Sequence, residues 1–401
     1  LFTDLSGKAK EEMSFAEAAR WLLYVNAYDD TSAKPSRESK EKGVKLPSTG
    51  VGWLGKLGIL FVSGDNLFET LMLNLIMQDE RGELFEREKP VWERTEVADG
   101  ERIQIPFPDN LSELYTLQSR RLYLKREGQK VKGYFLLGGD FFDREFKAGA
   151  GFVEPMTVWK NPDGKKTDIY VPRRHDFSKQ FWRECPAAVL GHKENRQPGI
   201  ILWIKKLENL EWIKNYELNL RIVSVQYGDK DFFVTNVFSD SLQIHASLLS
   251  EMNEVWRNAV SDSIEFCDEI SNKVWRLAQG INLAVGGSNK TKESKGTAGI
   301  FADHVKADFY NRMDSPFRRW LYGLAPEADS DDELMNKREQ WRHECVNIAR
   351  VLGNEIIRQA GTAAIFGRTK SGSGDDKKSE TFSAASAMNR FLSELKKAEE
   401  R

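Results

Sequence analysis

The residues best spaced for chemistry are the glycines of Gly50-Val51-Gly52-Trp53-Leu54-Gly55-Lys56-Leu57-Gly58. Their G-x-G-x-x-G pattern is that of a dinucleotide-binding turn, in which backbone amides hold a pyrophosphate at a helix N-terminus. That chemistry needs a buried strand before the glycines and a helix after them. The preceding segment, Lys34 to Thr49, is polar, basic and broken by Pro35 and Pro47, so no strand is expected to feed the turn. Glu69 lies at a tolerable distance for a ribose contact, but one acidic residue is weak support. A nucleotide-dependent oxidoreductase built on Gly50, Gly52 and Gly55 therefore stands as the alternative. The favoured reading is a loop without side chains, whose backbone can approach a ligand closely.

Other chemistry finds less support. The five histidines, His175, His192, His245, His304 and His343, form no H-E-x-x-H or other metal spacing. His304 can share a helical face with Asp303 and Asp308, but solvated or bundle-packed side chains are the better account of that spacing. His343 and Cys345 are two apart on an expected helix and so point to different faces. Gly286-Gly287-Ser288-Asn289-Lys290-Thr291 lacks the glycine that a Walker loop needs before its lysine, and a helix precedes it where a strand is required. No G-x-S-x-G elbow occurs. No catalytic centre, metal or cofactor is expected. Basic residues are more suggestive. Lys34, Arg37, Lys40, Lys42 and Lys45 precede the glycines; Arg120, Arg121, Lys125, Arg126, Lys130 and Lys132 form a second group; Lys165, Lys166, Arg173 and Arg174 form a third. Interleaved acids dilute each group, as on any solvated surface. A basic loop beside a glycine-rich turn is less ordinary: lysines can neutralise phosphates while backbone amides approach a sugar-phosphate chain.

The elements that must position these residues fall into two regions. The 401 residues suffice for two or three domains, and 11 Trp with 23 Phe allow large aromatic cores. The net charge of -2 excludes bulk attraction to polyanions, so any nucleic-acid contact must be local. Three widely spaced cysteines read as reduced, buried thiols of a cytoplasmic protein, and no apolar run is long enough for a membrane span. Residues 1–247 read as a mixed α+β domain. Ser14-Phe-Ala-Glu17 is a capping box that opens a helix. Residues 30 to 49 read as a long loop. Asn66 with Glu69 opens a second helix to about Met77, apolar nearly all round and hence deeply buried. Strands are expected at Val131–Leu137, Phe152–Trp159, Asp168–Val171, Ile200–Ile204, Leu218–Tyr227 and Phe232–Phe238. Residues 248–401 carry three- and four-residue apolar steps and the Ser330-Asp-Asp-Glu333 cap, the pattern of a four-helix bundle.

Several segments then resemble one family. Ser14-Phe-Ala-Glu-Ala-Ala-Arg-Trp-Leu22, Gly52 to Gly58, Gly64-Asp-Asn-Leu-Phe-Glu-Thr-Leu-Met-Leu-Asn-Leu75, Phe152 to Lys160 and Pro172-Arg-Arg-His-Asp176 resemble, in order, the CasA family of large subunits of the type I-E CRISPR surveillance complex Cascade. The resemblance spans essentially the whole chain; the family's usual opening segment is missing before Leu1. It implies an α+β domain followed by a four-helix bundle, no catalysis, and partners that include crRNA, double-stranded target DNA, the other Cascade backbone and small subunits and a helicase-nuclease. It implies recognition of a protospacer-adjacent motif from the minor groove, where base pairs are poorly distinguished and several motifs are tolerated. The family's glycine loop maps onto Gly50 and Gly52, with Gly55 a weaker member. Its loop for the guide-RNA handle maps onto Asp30 to Thr49, with Lys34, Lys40, Lys42 and Lys45 as contacts. Its strand-parting wedge maps onto Gly228, Asp229, Lys230 and Asp231. The wedge glutamine of some members is absent here, and Lys230 is left as the contact between two acids. For the motif-reading lysine of some members the candidates are Arg144 and Lys147. The Cys-rich motif of some members is absent, so no zinc is implied.

Overall fold

The structure, a computed structural model, describes residues 6–7, 11–32, 34–35, 50–78, 82–83, 89–93, 100–105, 108, 110–142, 154–161, 170–191, 195–213, 216–288, 296–370 and 380–400. The fold is α+β. The chain divides into two compact units: Leu1–Trp212 with Leu218–Leu242, and Ile213–Glu217 with Gln243–Arg401.

In the first unit, helix α1 (Phe15–Tyr28) opens on the capping box, with Ser14 Oγ accepting from the Glu17 amide and Glu17 accepting from the Ser14 amide at 2.8 Å. Strand β1 (Ile59–Ser63) follows the glycine segment, and helix α2 (Leu67–Leu73) follows β1 with Asn66 as its cap. A hairpin of β2 (Arg120–Glu127) and β3 (Lys130–Gly138) packs beside α1. Helix α3 (Gly199–Asn209) comes next, then β4 (Glu217–Tyr227) and β5 (Val234–His245). The sheet order is β5-β4-β1, with β4 antiparallel to β1 and Leu220 opposite Val62. Alternation along β4 buries Leu218, Leu220 and Ile222 on one face, as a half-buried strand requires.

Three expectations are corrected. Ile200–Ile204 is the start of a helix, not a strand. Ile200, Ile201, Trp203, Ile204 and Leu207 are buried along one helical side, and Pro198 sits at the N-cap, where its missing amide costs nothing. Helix α2 ends at Leu73, and Leu67, Phe68, Leu71 and Met72 are exposed instead of deeply buried. Strand Phe152–Trp159 shrinks, among the described residues, to Trp159–Lys160, and Val171–Pro172 is all that is described of the next strand.

In the second unit four long helices carry the core: α4 (Glu254–Ala284), α5 (Gly296–Tyr322), α6 (Asp331–Gln359) and α7 (Ala384–Glu399). Each pair among α4, α5, α6 and α7, except α5 with α7, packs closely. Ser330 and Glu333 form the expected capping box at the start of α6. Trp341 fills the interior against Phe317, with ring centroids 5.1 Å apart and planes near perpendicular. Among the described residues no helix is long and apolar enough to cross a membrane.

Candidate nucleic-acid interface

The glycine segment is a tight internal corner. Gly50 has φ +62°, a left-handed conformation that side chains disfavour. From Gly52 the backbone makes one 3-10 turn, Trp53–Lys56, and then enters β1. The dinucleotide-binding turn requires an α-helix at that place, so the oxidoreductase alternative loses its phosphate-binding helix. The bare faces of Gly52 and Gly55 serve the fold. A Cβ on Gly52 would lie 2.3 Å from the Ala27 carbonyl carbon, and one on Gly55 would lie 2.2 Å from Tyr227 Oη. The Gly52 amide donates to the Asp29 carbonyl at 2.9 Å, which docks the corner on the end of α1. At Gly50, among the described residues, a Cβ would meet only the end of the Lys56 side chain, with Cε and Nζ at 3.5 Å. Of the three predicted contact glycines, Gly50 alone is conformationally demanding and open.

The Gly228–Asp231 turn lies beside this corner. The Tyr227 hydroxyl donates to the Tyr28 carbonyl at 2.7 Å, and the Thr31 amide donates to the Asp231 carbonyl at 3.2 Å. Lys230 and Asp231 both have positive φ, 51° and 60°. Each such residue without glycine's freedom costs about 1–2 kcal/mol, a strain that accumulates at functional sites. Lys230 is exposed. Asp231 is occupied by the Arg174 guanidinium at 3.1 and 3.4 Å, and that guanidinium also lies 5.3 Å from the centre of the Tyr227 ring. The acid expected to repel phosphates is thus partly neutralised. Half-buried Lys56 sits between the two turns. Burial, with the nearby charges of Arg120 and Arg174 and against the pull of Asp231, lowers its pKa to about 8.

Arg120 organises the corner from behind. Its guanidinium is fully buried and donates to the carbonyls of Asp30 and Gly50, each at 2.7 Å, and to Asp29 Oδ2 at 3.1 Å. It therefore ties together the backbone on either side of residues 31–49. Arg121 is buried as well, paired with Asp140 at 2.6 Å, and so belongs to no surface patch. Lys34 is inward too: its side chain is 7% exposed and pairs with Asp29 at 2.8 Å and Asp30 at 3.2 Å. As placed, it is a structural cation, not an open guide-RNA contact. Lys40, Lys42, Lys45, Arg144 and Lys147 lie outside the described residues. The sequence reading missed Lys56 and Tyr227. Their signal was faint: a lone lysine inside the glycine run and an aromatic residue just before the wedge.

The remaining catalytic candidates are held by other partners. Asp303 accepts from the Trp275 indole at 2.9 Å, and Asp308 pairs with Arg312 at 3.1 Å, so His304 gains no carboxylate from them by these contacts. His343 pairs with Glu399 at 2.9 Å, while Cys345 is buried against Cys267. Among the described residues no group of three or more His, Cys, Asp or Glu is arranged to hold a metal ion.

The family model described as CRISPR-associated protein Cse1 matches residues 1–352. The chain belongs to the Cse1 family. The expectation drawn from the five sequence segments, the CasA (Cse1) large subunit, names this same family. Among solved structures, Cse1 of Thermobifida fusca is 26% identical, with 99% of this chain and 73% of that chain covered and a TM-score of 0.75. Cse1 of Acidimicrobium ferrooxidans is 22% identical over 99% of this chain and 75% of that one, with a TM-score of 0.73, and shares the fold. A chain of a structure titled as a CRISPR RNA-guided surveillance complex also shares the fold, at 15% identity, 96% and 68% coverage and a TM-score of 0.63. No curated protein matches the sequence.

Proposed function

We propose that this Cse1-family chain is a non-catalytic subunit of an RNA-guided Cascade complex that recognises a short motif beside the target in double-stranded DNA. It promotes strand separation there and recruits the helicase-nuclease. The observation that carries this reading is the convergence of two turns far apart in sequence. Gly50, left-handed, lies under Lys56, and the strained Lys230 turn hydrogen-bonds to residue 31 at the start of the basic loop. A backbone corner flanked by cations suits a sugar-phosphate chain, with phosphate contacts fixing the register and few base contacts adding specificity. Minor-groove approach suits Gly50, because a side chain at that place would hold the backbone away. The charge at this site is local, as it must be in a chain of net charge -2.

The test uses a complex reconstituted with crRNA and this subunit. Duplexes bearing or lacking the adjacent motif are titrated at fixed salt. Tighter binding of the motif-bearing duplex is expected; equal affinity contradicts the proposal. A scaffold role without DNA contact predicts that Gly50→Asp and Lys230→Ala leave target binding unchanged.

A further inference from the structure

The second basic group of the sequence does not belong to the corner described above, and the structure gives it a surface of its own. Arg120 and Arg121 are buried at the base of the β2–β3 hairpin. The outer half of the hairpin carries Lys125, Arg126, Lys130 and Lys132 against one acid, Glu127. Directly paired across the strands in that half are Tyr123 and Phe135. Both are far more exposed than apolar rings in a sheet need be, at 69% and 68%. Their centroids are 6.3 Å apart with planes tilted by 42°. Lys125 follows Tyr123 by two residues and shares its face, opposite Gly133, whose missing side chain leaves a flat floor beside the rings. Glu127 is shared between Lys132 at 3.0 Å and Lys125 at 3.7 Å, and Lys130 pairs with Glu12 at 3.3 Å. Glu11 and Glu12 also lie close to Lys132, and the side chains of Lys125 and Lys132 stay 64% and 44% exposed beside the aromatic pair.

We propose that this hairpin is a stacking platform for an unpaired nucleic-acid strand. The rings of Tyr123 and Phe135 take base faces, and Lys125 and Lys132 contact the phosphates. Stacking tolerates any base, because every base has a π-face, and local lysines supply the attraction that the whole chain lacks. The charge decides between occupants. A purely apolar partner would desolvate the exposed Lys125 and Lys132 at its rim, whereas a polyanion with flat bases matches both features. The inference stands on the hairpin alone and does not depend on motif recognition at Gly50.

The experiment titrates the full chain into a fluorescein-labelled 15-nucleotide oligothymidylate, read by anisotropy, and into a strand of equal length and charge with abasic sites. Tighter binding of the strand with bases is expected. Tyr123→Ala with Phe135→Ala should weaken it tenfold or more and bring it near the abasic strand. Tyr123→Trp should restore affinity. Lys125→Gln with Lys132→Gln should flatten the salt dependence. Equal affinity for the two strands, or no effect of the double alanine variant, overturns the proposal; the former is also the result if the platform takes a protein. Both rings are exposed, so a thermal midpoint close to that of the unchanged protein is expected of the variant. Its preference for motif-bearing duplex within the reconstituted complex should persist, which keeps this result separate from that of the corner.

Discussion

At Lys56 a single proton reports on the corner. Its pKa is depressed to about 8, by burial first and by two arginines second. A phosphate set beside it would favour the charged form and raise that value. Binding of duplex DNA should therefore take up a proton, and affinity should fall as pH rises through 8 and above. Calorimetric titration in buffers of different ionisation enthalpy measures this uptake, and Lys56→Gln should abolish it. The same shift makes a stability statement with the opposite sign. The folded lysine deprotonates near 8 and the unfolded one near 10.5, so the unfolded chain binds more protons between those values. The lysine's contribution to stability thus improves with rising pH across that window. The two neighbouring glycines should separate by measurement. Gly55→Ala drives a methyl into Tyr227 Oη and should cost about 1–3 kcal/mol in denaturant unfolding. Gly50→Asp has room for its side chain but adds left-handed strain of about 1–2 kcal/mol, and its larger effect should fall on DNA affinity. Lys230→Gly should do the reverse of a structural lesion. It relieves left-handed strain and stabilises by about 0.5–1 kcal/mol, yet weakens duplex binding.

At the scale of elements, Arg120 joins α1, β2 and the glycine corner through four of its neighbours' backbone and side-chain oxygens. Arg120→Ala leaves the Asp30 and Gly50 carbonyls without their guanidinium donor, while Lys34 keeps Asp29 paired, and should cost about 1–3 kcal/mol for each carbonyl left unsatisfied. Arg120→Lys should recover little, because a single ammonium cannot span carbonyls on both sides of residues 31–49. Urea unfolding of the three proteins measures the difference. These elements were unevenly legible. The caps Ser14–Glu17 and Ser330–Glu333 could be read from sequence because the motif is local and its hydrogen bonds close within one turn. The run Ile200–Ile204 was not, because five apolar residues fit a strand and a buried helix equally well; the burial of Leu207 on the same side shows which period applies. Strand β2 hid behind Arg120 and Arg121, whose burial depends on Asp29 and Asp140, distant in sequence. The apolar face of α2 was assigned to the interior because composition alone does not say what covers a helix. For the site, Gly50 stands out by the glycine pattern, whereas the Gly228–Asp231 turn follows only from the family resemblance. Their adjacency was not readable, since it rests on Tyr227 reaching Tyr28 and Asp231 reaching Thr31.

At the scale of the whole molecule, an α+β unit carries the corner and the hairpin, and a helical unit carries a core of its own. The chain is a member of the Cse1 family. The proposal assigns binding and strand separation to the chain and leaves target sequence to the guide, a division known for RNA-guided effectors of another kind. Its central claim is that the corner formed by Gly50, Lys56 and Lys230 lies against the adjacent motif of the duplex. The most direct measurement places a photoreactive amino acid at position 230 in the reconstituted complex and maps its cross-links along a target duplex. The account predicts cross-links within or beside the adjacent motif, lost when the motif is scrambled. Cross-links confined to distant nucleotides, or equally strong on the scrambled duplex, would contradict it.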